Sequence, residues 1–128
     1  MPKDRLRIFF DGGCRPNPGM MEVAAVARGV TYLRTDLGQG SSEESEWRAL
    51  LNAVEVALTL GEEDVELVGD SRSVIGQANG ITKCRSAEMR PHLEAYRAAI
   101  SAIPHVRLRH VVRTKNLAGI ALARRHPR

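Results

Sequence analysis

Apolar residues follow two rhythms along this chain of 128 residues. Short apolar runs, bounded by glycine, proline and charge, predict strands at about Arg5–Gly13, Val23–Arg28, Val30–Leu37, Val65–Gly69 and His105–Val112. Gly29 marks a tight connection between the second and third. Gly38-Gln39-Gly40 lets the chain turn after the third. A helical period appears at Trp47, Leu50, Leu51, Val54 and Leu58, which read as a buried stripe. Ser41 with Glu44 three residues on fits a capping box, and Gly61 supplies the stop. Ala49, Ala53 and Ala57 beside the stripe allow close approach to a sheet. A short helix is predicted from Ser71 or Arg72 to Ala78, and a longer one over Ala87–Ile103, closed by Pro104. Leu117–Arg124 reads as a short last helix. The order predicts one α/β domain over residues 1–128. Its five-stranded mixed sheet is a three-strand antiparallel meander plus two strands, with helices on both faces.

At 43% hydrophobic the chain can bury a core. No run approaches the roughly 18 apolar residues of a membrane helix. Met-Pro-Lys-Asp-Arg leads straight into a strand, so no signal peptide is read and a cytoplasmic location is expected. Cys14 and Cys84 lack metal-like spacing and suit free thiols in a reducing compartment. The net charge of +4 and a pI of 9.6 suit a phosphate backbone, though ordinary basic composition would give the same values.

The chemistry concentrates at three acids. Asp11 ends an apolar run and precedes Gly12-Gly13 and a Pro-Asn-Pro-Gly turn. Glu46 lies at the start of the clearest helix, and Asp70 follows an apolar strand. A buried carboxylate is costly without a positive neighbour. Acids projecting from separate elements toward one point suit a divalent-metal site. Each also has an ordinary reading: Glu46 as a first-turn glutamate favoured by the helix dipole, Asp70 as a helix N-cap. Arg72, just past Asp70, is placed to meet a phosphate. If a hairpin pairs Gly13 with Glu22, then Asp11 and Glu22 share a face diagonally across the ladder. Glu22 is then either a further ligand or a solvated strand-end residue.

Asp11-Gly12-Gly13-Cys14 with Asn17-Pro18-Gly19, Glu46 opening a helix, and Gly69-Asp70-Ser71 after a strand together resemble the ribonuclease H type 1 family. The likeness runs in order from residue 5 to about 125. It implies an RNase H-like fold and a metal-dependent endonuclease acting on RNA–DNA hybrids. The RNA strand would be hydrolysed to 3′-hydroxyl and 5′-phosphate ends. It implies two Mg²⁺ or Mn²⁺ ions, with Asp11 bridging and Glu46 and Asp70 flanking. It further implies that Cys14, Asn17, Ser41 and Ser42 line the RNA strand, although Ser41-Ser42 replaces a Thr-Asn pair common in the family.

The chain departs from that pattern in three places. The family's Asn-x-x-Ala-Asp-x-Leu-Ala becomes Asn116-Leu117-Ala118-Gly119-Ile120-Ala121-Leu122-Ala123, so literal alignment sets Ile120 where the fourth acid stands. Asn116 is then a helix cap or a neutral substitute ligand, and Glu22, where the family usually has glycine, is the other candidate to restore the charge. One negative charge fewer predicts weaker metal binding and a preference for Mn²⁺. No basic handle fits in Ile81-Thr82-Lys83-Cys84-Arg85-Ser86, which predicts modest, salt-sensitive affinity for hybrid. Arg113-Thr114-Lys115 leaves little loop for the family's histidine, and neither His110 nor His126 is assigned a catalytic part. A monomer is expected. Two other readings compete: a non-catalytic RNA- or hybrid-binding module, and a nuclease of the same superfold with another substrate.

Overall fold

A computed structural model describes residues 5–126. Strands β1 (Leu6–Cys14), β2 (Gly19–Ala27) and β3 (Val30–Arg34) form the meander, and β4 (Gln39–Gly40) is a short addition. Helix α1 (Ser42–Leu60) leads to β5 (Asp64–Gly69), α2 (Arg72–Ala78), α3 (Arg90–Ile100) and β6 (His105–His110). A single 3₁₀ turn at Arg113–Lys115 precedes α4 (Leu117–Arg124). The main sheet order is β3-β2-β1-β5-β6, with β4 paired to β2. β1 pairs antiparallel with β2 and parallel with β5, and β5 pairs parallel with β6. The sheet is thus mixed as expected, with six strands where five are predicted.

Several boundaries differ from the sequence reading, and tertiary pairing explains them. β2 begins four residues earlier than Val23, because Met21 and Glu22 pair with Cys14 and Gly13 while Gly19 and Met20 pair with β4. β3 stops at Arg34, where its partner ladder on β2 ends at Val23. α3 covers Arg90–Ile100 within the predicted Ala87–Ile103, turns occupying both ends. β6 ends at His110 rather than Val112, opposite the last residue of β5. Ala27 pairs with Val30 across a two-residue loop in which Arg28 and Gly29 both have positive φ, the backbone a tight hairpin requires.

The two sheet faces are covered differently. On one, Ile8, Phe10, Val23, Ala25, Val65 and Leu67 pack under Trp47, Leu50, Ala53, Val54 and Ala57 of α1. Leu58, predicted in that stripe, is exposed instead. The fully buried Ala49, Ala53 and Ala57 let the helix axis approach the sheet. On the other face a smaller cluster joins Phe9, Ala24 and Val26 to Ala118 and Leu122 of α4. Successive strand residues point to opposite faces. Asp11, two residues beyond Phe9, therefore faces α4 while its neighbours Phe10 and Gly12 face α1.

Candidate metal and nucleic-acid site

Local chemistry fixes each of the three acids. Ser41 caps α1, its hydroxyl accepting from the Glu44 backbone N–H at 3.1 Å. This sets the helix start, so Glu46 lies in its first turns and over the end of β1. Gly12 makes that approach feasible: a Cβ there would fall 2.1 Å from the Ser45 carbonyl oxygen. The Gly12 N–H donates to Glu46 Oε1 at 2.6 Å. Asp70 follows β5 directly, and β5 runs parallel to β1 with Phe9 opposite Val68. One oxygen from each of Asp11, Glu46 and Asp70 lies within 4.8 Å of the others.

Three carboxylates at that spacing cannot all ionise freely. Burial, then the Asp70 charge, pushes the Asp11 carboxyl up to about 6, against a smaller pull from Arg113. Burial, then the Asp11 charge, pushes Glu46 up to about 9. The cluster is a partly buried site of excess negative charge built from hard oxygen donors. That donor set fits a divalent cation, and Mg²⁺ or Mn²⁺ above the softer metals.

Asn116 is fully buried beneath the acids. Its amide nitrogen donates to the Phe10 carbonyl and to Asp70 Oδ2, both at 2.9 Å. Its oxygen accepts from the Ala118 N–H at 3.1 Å and caps α4. The partners fix the amide orientation, since a carbonyl needs the NH₂ group and an N–H needs the oxygen. The oxygen suggested as a neutral ligand is therefore turned to the helix. Asn116 instead ties β1, α4 and Asp70 together.

The place of the missing acid is equally specific. Ile120 is exposed. The residue that approaches Asp11 is Gly119, where a Cβ would lie 3.3 Å from Asp11 Oδ2. Glu22 does pair with Gly13, yet it stands apart from the three converging acids. Its Oε1 lies 2.5 Å from His126 Nε2 and its Oε2 lies 3.4 Å from Arg125 Nε. His126, given no role from the sequence, thus holds a defined position.

A cavity of about 590 Å³ opens over the acids, and Cys14, Ser42, Glu22 and Arg113 join its lining. Asn17, Ser41 and Arg72 lie outside that lining. Asn17 still contributes through Ser42: its Oδ1 accepts from the Ser42 N–H at 3.0 Å and its Nδ2 donates to the Ser42 hydroxyl at 3.1 Å. This pair ties the turn after β1 to the start of α1. The Cys14 thiol reaches Asn17 Oδ1 at 3.5 Å. Arg113 is one of the cavity residues to which the sequence reading gave no part in the site. Its alternation with Arg107 and Arg109 suggests a strand face, but the strand ends first and the 3₁₀ turn carries Arg113 to the cavity. The short link to the Asn116 cap was the available clue.

Comparison with known proteins bears on family and fold. The family model described as reverse transcriptase-like matches residues 10–126. A curated protein, Ribonuclease HI of Halobacterium salinarum, is 31% identical over 124 residues, covering 93% of this chain. The chain spans 62% of the length of that relative. The crystal structure of RNase H1 from H. salinarum NRC-1 superposes with a TM-score of 0.86 at 29% identity, covering 93% of this chain and 94% of that one. LC11-RNase H1 in complex with RNA/DNA hybrid superposes with a TM-score of 0.79 at 24% identity, covering 88% and 89%. The last likeness is one of fold.

Proposed function

The chain belongs to the reverse transcriptase-like family and is similar to ribonuclease HI proteins, and from that premise we propose that it hydrolyses the RNA strand of RNA–DNA hybrids. The observation that carries this reading is the convergence of Asp11, Glu46 and Asp70 within 4.8 Å in a cavity shared with Cys14 and Ser42. The three carboxylates would hold two divalent cations, Mg²⁺ or Mn²⁺. Bound there, such cations activate a water and offset charge on the leaving oxygen.

The remaining residues of the chain position the substrate and the acids. Asn116 holds one Asp70 oxygen through its NH₂ group, leaving the other for a ligand. The Gly12 N–H holds Glu46. Arg113 adds the positive charge that draws a phosphodiester into the cavity. Cys14, Asn17 and Ser42 offer polar groups to an RNA strand, whose 2′-hydroxyls distinguish it from DNA. Ser41 acts through the helix start it caps, and Arg72, beyond the cavity, serves a flanking phosphate. The protein would act as a cytoplasmic monomer; no described helix is long and apolar enough to cross a membrane.

Substrate choice tests the reading. The chain, supplied with Mg²⁺ or Mn²⁺, should shorten the RNA strand of a hybrid and leave single-stranded RNA, single-stranded DNA and duplex DNA whole. Equal digestion of single strands would overturn hybrid specificity and favour another nuclease of this fold. One observation favours a second reading: glycine stands against Asp11 and an exposed isoleucine occupies the aligned fourth-acid position. A module that binds hybrid without cutting it would follow if hybrid binds and stays intact in both metals.

A further inference from the structure

Glu22 stands between two cavities. It lines the one over the three acids, and also a smaller one of about 220 Å³. Arg15 lines both as well, so the two cavities adjoin along the turn after β1. The far side of the smaller cavity is formed by Arg125 and His126, just past the end of α4. Asp36, on the connection from β3 to β4, is the other acid lining it.

The contacts leave the cations underused. A guanidinium has five N–H donors in a rigid fork. Arg125 spends one of them on Glu22, at 3.4 Å, near the long limit of a hydrogen bond. Arg15 makes no ion pair among the described residues, and it is exposed. The Glu22 side chain is 14% exposed and takes His126 on one oxygen and Arg125 on the other. A phosphodiester can offer both of its charged oxygens to the fork of Arg125, whereas Glu22 gives it one long contact and spends the other oxygen on His126.

We propose that Arg15, Arg125 and His126 form a subsite for a backbone phosphate of the strand engaged at the three acids, and that Glu22 is the internal counter-ion this phosphate displaces. The inference rests on the nucleic-acid reading above and adds a second contact to it. Glu22 then has a role other than metal ligation. It keeps Arg125 and His126 ordered and balances one positive charge until a strand arrives. Its displacement offsets part of the binding gain, so the unaltered chain binds less tightly than its basic groups allow.

The test measures hybrid affinity against salt in an Asp11→Asn background, where the RNA strand stays whole. Replacing one phosphate-binding cation should weaken binding several-fold and lower the salt slope by about one. Arg125→Ala should do this, and Arg125→Lys, which keeps the charge, should restore the slope. Glu22→Gln removes the competitor and should tighten binding several-fold. This opposite sign separates the subsite from a metal-ligand role, in which Glu22→Gln would weaken Mg²⁺ binding and leave hybrid affinity unchanged or lower. An unchanged slope for Arg125→Ala, or no tightening for Glu22→Gln, overturns the subsite while leaving the family function standing. Failure of the unsubstituted chain to bind hybrid overturns both.

Discussion

Replacing Glu46 by glutamine should stabilise the metal-free protein, although it removes a group proposed to hold metal. Glutamine is isosteric, and its amide oxygen can keep the bond from the Gly12 N–H. Its NH₂ group can donate to Asp11 as a protonated glutamate would. The difference lies in the proton. Glu46 is raised from 4.5 to about 9 in the folded chain, by burial first and Asp11 second. At pH 7 the unfolded chain therefore ionises Glu46 while the folded chain keeps it protonated, so folding takes up a proton. A group whose folded value is raised stabilises fully only below its unfolded value, and loses that contribution as pH rises toward the folded one. Neutral pH stands about 2.5 pH units above the ordinary glutamate value, which corresponds to a cost of about 3 kcal/mol. Glu46→Gln should then gain about 3 kcal/mol at pH 7, or roughly 10 °C in Tm for a domain of this size. The gain should grow by about 1.4 kcal/mol per pH unit between pH 5 and 9 and vanish near pH 4. Urea unfolding in a chelator, followed by circular dichroism across that range, reads it directly. Saturating Mg²⁺ should narrow the difference, because binding at a hundredfold excess over Kd stabilises the unsubstituted protein by about 2.7 kcal/mol and the variant by less. A variant that gains nothing in chelator, or a gain independent of pH, would refute the strained-carboxylate account.

Other perturbations follow from single contacts. Asn116→Ala should lower stability by about 2–4 kcal/mol by orphaning the Phe10 carbonyl and uncapping α4, as urea unfolding would measure. The same variant should also raise the Mg²⁺ concentration needed for cleavage, since Asp70 loses its anchor. Gly12→Ala should abolish activity and destabilise severely in a melt, because its Cβ would overlap the Ser45 backbone rather than a yielding side chain. Ile120→Asp should fail to strengthen Mg²⁺ binding by calorimetry, because position 120 is exposed and Gly119 takes the place beside Asp11.

Where signals were local, the sequence was informative. Ser41, Glu44 and Gly61 bound α1 because caps act within a few residues, and the helix runs Ser42–Leu60 between them. The order of strands and helices was legible for the same reason. The start of β2 was not, because Gly19, Met20 and Glu22 carry no strand pattern of their own and are extended by pairing with β1 and β4. The three acids were legible as a set because Asp11 and Asp70 each follow an apolar run and Glu46 lies at the start of the clearest helix. Their immediate surroundings depend on long-range contacts that no local pattern encodes. Asn116 meets Phe10 across 106 positions, and Glu22 meets His126 across 104. The direction of the Asn116 amide depends on two partners at once, one in β1 and one in α4. Leu58 shows the same limit: helical spacing marked it as buried, but packing through Ala49, Ala53 and Ala57 tilts the burial away from it.

The central claim is that Asp11, Glu46 and Asp70 make a metal-dependent catalytic centre without a fourth acid. Cleavage of an end-labelled RNA–DNA hybrid, in Mg²⁺ and in Mn²⁺, tests it most directly when run beside Asp11→Asn. The account predicts that the RNA strand is cut with either metal, more readily with Mn²⁺, that chelator stops the reaction, and that Asp11→Asn loses it. A hybrid that is bound yet stays intact in both metals would contradict it, as would cutting that survives the loss of Asp11.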